Sequence, residues 1–175
     1  MIAIIAEKPS VGQEIARVVG ATEKKDGYIT GNGYMVTWAL GHLVSLALPG
    51  TYGYTRTTAE DLPMLPEPFR LVERQIRTDR GMVTDIAAGR QLKVIDGVFS
   101  ECDSIIVATD AGREGELIFR WIYSHLGCTK PFKRLWFSSL TDEAIRKGMA
   151  DLREGYEYDS LYAAARSEEH TSELQ

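Results

Sequence analysis

The stretch Ser104 to Ile122, SIIVATDAGREGELIFRWI, sets the strongest limit on how this chain folds. An apolar run with β-branched residues halts at Asp110, and Arg113, Glu114 and Glu116 then open an amphipathic helix with Leu117, Ile118, Trp121 and Ile122 inward. The N-terminus has the same order. MIAIIAE reads as an apolar strand, Pro9 and Ser10 follow it, and a helix runs through Val19 with Val11, Ile15, Val18 and Val19 on one face. Ser10 and Gln13 have the spacing of a capping box, and Gly20 marks the stop. Gly112 and Gly115 let the backbone turn tightly after the later strand, so its carboxylates need not splay over a solvated face.

Between these units, YITGNGYMVTWAL alternates and carries Asn32-Gly33, a strong hairpin signal. The region from Gly41 to about Asp79 is loop-like, with Pro49, Pro63, Pro66 and Pro68, and a connection of that length is functional or an insertion. GMVTDIAAGRQLKVIDGVFS has helical spacing at Met82, Ile86, Leu92 and Ile95. Gly127 ends the helix after Asp110, RLWFSS reads as a strand, and Thr141 caps a helix whose Asp142 and Glu143 suit the positive end of its dipole. The predicted order β-α-ββ-α-β-α-β-α is an α/β fold: a mainly parallel sheet flanked by helices, with a β-hairpin and a long loop insertion.

A chain of 175 residues, 44% hydrophobic and 26% charged, buries a core of one ordinary domain. No apolar run is long enough to span a bilayer, and Glu7 interrupts the N-terminus where a signal peptide would stay hydrophobic, so the expected location is cytoplasmic, with no membrane partner. Cys102 and Cys128 have no Cys or His neighbours at zinc-ligand spacing and read as buried thiols. A net charge of −5 and a pI near 5.3 argue against nucleic-acid binding by bulk charge, though not against a local basic groove. The last ten residues, RSEEHTSELQ, break the helical pattern and reproduce the translation of a common sequencing-library adaptor. Residues 166–175 are therefore set aside as a non-native tail, with the gene expected to continue past Ala165.

Ligands of parallel α/β sheets gather at the carboxyl ends of the strands. Glu7 and Lys8 follow the first strand; Asp110 and Glu114 follow a later one. If those strands are neighbours, three carboxylates and one ammonium share a crevice. Oxygen donors without His or Cys suit Mg²⁺, and such an ion works with phosphate. Each residue also has a plainer reading. Glu7 can be a surface residue at a strand end, Asp110 and Glu114 can serve a helix N-terminus, and Glu116 and Arg113 can pair with Arg120 along a helix.

Four ordered stretches, AEKPSVGQEIARVVG, GYMVTWALGHL, ATDAGREGELIFRWI and RLWFSSLTDEAI, resemble the Toprim domain of type IA DNA topoisomerases, in particular bacterial members of the topoisomerase III branch. The resemblance covers residues 1 to about 165. It implies a Toprim catalytic domain over residues 1–155 and, over 156–165, the truncated start of a following helical topoisomerase domain. It implies Glu7 as general acid/base toward the leaving 3′ oxygen, Lys8 against the scissile phosphate, and Glu7, Asp110 and Glu114 around Mg²⁺. Arg113 supports the phosphate or the carboxylates, and His42, in GHL, lies beside the site toward DNA. Gly112 stands where the family pattern has a second Asp, which puts a second metal ion in doubt. The implied partners are single-stranded DNA and the remaining domains of the same chain, without ATP. No tyrosine here matches the family's nucleophile, so the chain alone is expected to be inactive.

Two rival readings remain at this point: another Toprim enzyme, such as a primase or an OLD-type nuclease, and a non-catalytic nucleic-acid-binding Toprim module. Arg70, Arg74, Arg77 and Arg80 read as solvated charge more readily than as a track for a DNA backbone. Trp38, Trp121 and Trp136 read as core, Ser138 and Ser139 as cap and turn, and His125 as a charge suited to a helix end.

Overall fold

The computed structural model describes residues 1–53, 69–79 and 81–172. The chain begins with β1 (Ile2–Ala6) and α1 (Pro9–Val19), followed by β2 (Glu23–Lys25), β3 (Tyr28–Gly31) and β4 (Tyr34–Trp38). After β5 (Val44–Leu46), β6 (Leu71–Glu73), β7 (Gln75–Thr78) and β8 (Gly81–Thr84) come α2 (Ile86–Glu101), β9 (Ser104–Ala108) and α3 (Arg113–His125). β10 (Phe132–Arg134), α4 (Asp142–Ala150), β11 (Arg153–Glu154) and α5 (Asp159–Ser172) complete it. The main sheet has the order β11-β10-β9-β1-β4-β3-β2. Its centre, β10, β9, β1 and β4, is parallel, whereas β11, β3 and β2 pair antiparallel at the edges.

The apolar runs of β1 and β9 follow from burial on both faces. Ala3 and Ile5 of β1 and Ile105 and Val107 of β9 pack in one core with Leu92 and Ile95 of α2 and Leu117 and Ile122 of α3. Ile4, Ala6, Ile106 and Ala108 pack in a second core with Val11 and Ile15 of α1 and Ile145 of α4. The hairpin turn of β3 and β4 has φ of 50° at Asn32 and 84° at Gly33, the conformation that favours Asn-Gly there.

Several sequence expectations are corrected. The stretch from Gly41 to Asp79 is not all loop: β5 pairs with β6, and β7 with β8, all antiparallel. Its prolines at 63, 66 and 68 lie outside the described residues, as does Arg80. Met82 belongs to β8 and is exposed, because α2 starts only at Ile86. Asp85 sets that start by accepting from the N–H groups of Ala87 and Ala88 at 2.9 and 3.4 Å. The capping box at Ser10 does not form; Lys8 is the N-cap, and Pro9 takes the first helical position, where a missing N–H loses nothing. β10 ends at Arg134, before most of RLWFSS, because its neighbour β9 ends at Ala108; the last bond runs from the Leu135 N–H to the Val107 carbonyl at 2.9 Å. Of the three tryptophans only Trp121 is fully buried, and Cys128 is only half-buried. α5 runs on through Ser172, past the point where the sequence suggests a break. Among the described residues, no helix is long and apolar enough to cross a membrane.

Candidate active site at the carboxyl ends of β1 and β9

β1 and β9 run in register, with Ala6 opposite Ala108. From β1 the chain moves to β4 on one side and then returns to β9 and β10 on the other. The crevice beyond the ends of β1 and β9 is therefore the switch point of the sheet, where ligands of such folds bind. Glu7 follows β1 directly, and its Oε2 accepts the Asp110 N–H at 3.1 Å. Lys8 Nζ lies 3.7 Å from Glu7 Oε1 and 4.0 Å from Asp110 Oδ2. The Glu7 side chain is 10% exposed, against 58% for both Lys8 and Asp110. One acid is thus held inside the edge, one faces solvent, and a single ammonium spans them. α1 and α3 both begin at this edge, with N-caps Lys8 and Gly112, and so direct their positive ends at it.

A buried layer supports the Asp110 turn. The Thr109 hydroxyl donates to the Gly115 carbonyl at 2.6 Å. Arg134, 1% exposed, donates from Nη1 to Thr109 Oγ1 at 2.7 Å and from Nη2 to the Asp110 carbonyl at 2.9 Å. Its Nε lies 3.4 Å from Glu116 Oε2, while Arg120 Nε donates to Glu116 Oε1 at 2.7 Å. Burial lowers the Arg134 pKa from its ordinary value, and the Glu116 charge opposes that shift. α3 approaches this turn so closely that a Cβ on Gly115 would stand 2.0 Å from the Asp110 carbonyl oxygen. Gly112 differs: its φ of 164° is ordinary extended backbone, and a Cβ there meets nothing within 4 Å.

Of the residues singled out from sequence, Glu7, Lys8 and Asp110 come together. Glu114 and Arg113 lie exposed on the first turn of α3. Glu114 Oε1 is 2.5 Å from His42 Nε2, so it takes a hydrogen-bond partner in preference to a seat beside two like charges. His42 packs edge-on to Trp121 at 5.8 Å, and its carbonyl accepts from Arg74 Nη1 at 3.0 Å. Among the described residues, no group of three or more His, Cys, Asp or Glu side chains is arranged to hold a metal ion. The pair Glu7 and Asp110 nevertheless fits a hard cation: both offer oxygen, one stands in solvent, and Mg²⁺ commonly takes one or two carboxylates while keeping water. A groove of about 550 Å³ opens beside Asp110, with Trp136, Phe137 and Leu140 in its wall.

Sequence reasoning missed the supporting residues. Arg74 is not solvated charge; it pairs with Asp85 at 2.6 Å and donates to the carbonyls of Leu40 and His42, fixing the His42 loop. Arg70 lies over the Tyr52 ring at 6.0 Å. Glu116 does pair with Arg120 one helical turn on, as the spacing suggests, but it does so buried. Arg134 had a visible signal, a cation inside the apolar run FKRLWF, which calls for a buried anion or carbonyl.

The class these features define is an α/β domain with acids and a lysine at the switch point of a parallel-centred sheet. A family model described as the Toprim domain matches residues 2–140, and the chain belongs to that family. It is 49% identical over 167 residues to a DNA topoisomerase 3 of Bacillus thuringiensis (strain Al Hakam), covering 93% of this chain and 21% of that protein. It is 46% identical over 171 residues to a DNA topoisomerase 3 of Bacillus subtilis (strain 168), covering 94% of this chain and 22% of that one. The chain thus spans about a fifth of the length of the curated relatives it matches. The fold is also similar to that of full-length topoisomerase I from Thermotoga maritima, with a TM-score of 0.52 and 20% identity over 87% of this chain and 21% of that one.

Proposed function

We propose that this chain is the Toprim half of the active site of a type IA DNA topoisomerase of the topoisomerase III kind. Its reaction is cleavage of single-stranded DNA, strand passage and religation, dependent on Mg²⁺ and independent of ATP. The observation that carries the reading is the convergence of Glu7, Lys8 and Asp110 at one sheet edge, in a chain whose relatives bear the name DNA topoisomerase 3.

In this reading a tyrosine elsewhere in the whole protein attacks a phosphodiester and keeps the bond as a phosphotyrosine, so resealing needs no nucleotide. Glu7 gives a proton to the departing 3′ oxygen and recovers it on religation. Lys8, between the two acids, meets the scissile phosphate and offsets charge growing on its oxygens. Asp110 and Glu7 would hold the magnesium ion, with Glu114 a third ligand if it were free of His42. Bound there, the ion would neutralise phosphate charge. His42 and Arg113, beside Glu114, face the DNA backbone. Residues 1–155 form the Toprim unit, which agrees with the sheet closing at Glu154. Residues 156–165 begin the next helical segment, and 166–175 are a non-native tail.

The test is a graft. Residues 1–165 replace the corresponding part of the Bacillus subtilis DNA topoisomerase 3, and relaxation of negatively supercoiled plasmid is followed with and without Mg²⁺ and ATP. The expected result is relaxation that needs Mg²⁺ and ignores ATP. A folded graft without that activity overturns the reading, and nuclease activity without resealing would favour the hydrolytic Toprim enzymes.

A further inference from the structure

Arg134 lies at the end of β10 with 1% of its surface exposed, as secluded as the Glu116 it faces. Burying a guanidinium costs free energy that a single partner seldom returns, so what it touches shows what it does. Two of its nitrogens bond the Thr109 hydroxyl and the Asp110 carbonyl, at 2.7 and 2.9 Å. Neither contact is to the Asp110 carboxylate; one holds the backbone carbonyl of Asp110 itself and the other the side chain of the residue before it. The Thr109 hydroxyl passes the restraint on to the Gly115 carbonyl in α3 at 2.6 Å. Glu116 supplies the counter-charge and is held by Arg120, which also donates to Asp159 at the start of α5 at 2.7 Å.

We propose that Arg134 is a positioning residue of the Glu7–Asp110 site, holding the Asp110 turn so that its N–H meets Glu7 and its carboxylate meets Lys8. Glu116 keeps Arg134 in place, and neither group touches substrate. The consequence for magnesium rests on the function proposed above; the consequence for the turn does not.

Two variants of this chain test it. Arg134→Lys keeps a charge opposite Glu116, but a compact ammonium cannot reproduce the planar fork that reaches Thr109 and Asp110 together. Arg134→Met with Glu116→Met removes the buried pair at similar volume, a kind of exchange that proteins tolerate well. Amide hydrogen exchange, read by NMR without metal, should show at least tenfold loss of protection in both variants at the N–H groups of positions 110 and 116, which bond to Glu7 and to the Gly112 carbonyl. Protection in β1 and β9 should stay as in the unaltered chain. Unchanged exchange at positions 110 and 116, or a loss spread evenly over the chain, overturns the proposal. Calorimetric titration with Mg²⁺ should show roughly tenfold weaker binding in Arg134→Lys, and equal affinity also overturns it. Should the unaltered chain bind no Mg²⁺, the metal reading falls, and hydrogen exchange still decides the role of Arg134.

Discussion

Glu7 Oε2 accepts the backbone N–H of Asp110 at 3.1 Å across 103 residues of chain, so one acid orients the turn that presents the other. The bond does not need the Glu7 charge. Glu7→Gln keeps an acceptor for that N–H and should melt within about 3 °C of the unaltered chain, as befits a change near 1 kcal/mol. What it loses is the anion beside Lys8. Mg²⁺ affinity should fall several-fold by calorimetry, and plasmid relaxation by the graft should fall by about 10²- to 10⁴-fold, the usual share of a general acid. Relaxation at the unaltered rate would remove Glu7 from the chemistry.

Gly115 and Gly112 both follow the Asp110 turn, but only Gly115 is required to be glycine. Inside a helix, Gly→Ala ordinarily gains about 1 kcal/mol. At Gly115 the new Cβ would meet the Asp110 carbonyl oxygen at 2.0 Å and its nitrogen at 2.8 Å, both backbone atoms. Overpacking of that kind costs about 1–3 kcal/mol or more, so the clash should win and Gly115→Ala should lower the melting temperature by several degrees. Gly112→Ala should leave it nearly unchanged. Equal melting of the two variants would mean that α3 is not held against the turn.

These contrasts show what was legible in the sequence. β1 and β9 were readable because burial on both faces demands unbroken apolar runs, and an acid ending such a run is conspicuous. The meeting of Glu7 with Asp110 was legible only on the condition that their strands are neighbours, and the pairing of β1 with β9 meets it. The sheet edges and the strands between Gly41 and Thr84 were not readable: β5, β7 and β8 are short, and their identity depends on partners far along the chain. Met82 shows the cost. Its spacing to Ile86 fits a helix, but the Asp85 cap starts the helix after it. Arg134 escaped notice and Arg74 read as solvated charge because a cation's burial depends on acceptors brought by other elements, here the Asp110 turn and the Leu40–His42 loop. The partnership of Glu114 with His42 was unreadable for the same reason, since it joins α3 to a loop 72 residues earlier.

Gly112 offers a gain-of-function experiment. Its extended φ of 164° accepts any residue, the space around its missing Cβ is open, and it is the N-cap of α3. Asp is a favoured N-cap residue, so Gly112→Asp should fold and melt no lower than the unaltered chain. It also adds a carboxylate two residues from Asp110. Mg²⁺ affinity should rise several-fold by calorimetry, and the gain should vanish in the double variant with Asp110→Asn. A rise that survives Asp110→Asn would place the ion elsewhere.

The Arg74–Asp85 pair predicts a pH dependence with a definite sign. The Arg74 guanidinium, bonded to Asp85 at 2.6 and 2.9 Å, holds the Asp85 carboxyl below the usual carboxylate range, and the N–H groups of Ala87 and Ala88 act in the same direction. A carboxyl depressed in the folded state contributes stability that is fully present above its unfolded value of about 4 and disappears as pH falls through its lower folded value. Arg74→Met removes the main cause, so Asp85 moves back toward the ordinary range. The melting temperature of the unaltered chain should therefore exceed that of Arg74→Met by a constant margin above about pH 5, and the margin should narrow steadily as pH drops below about 4. Because Arg74 also holds the carbonyls of Leu40 and His42 at 2.9 and 3.0 Å, the variant should release the His42 loop from Glu114. The His42 ring resonances should then lose their dependence on Glu114→Gln. A margin that stays level from pH 6 to pH 3 would show that Arg74 acts through its backbone contacts alone, with no share from the Asp85 charge.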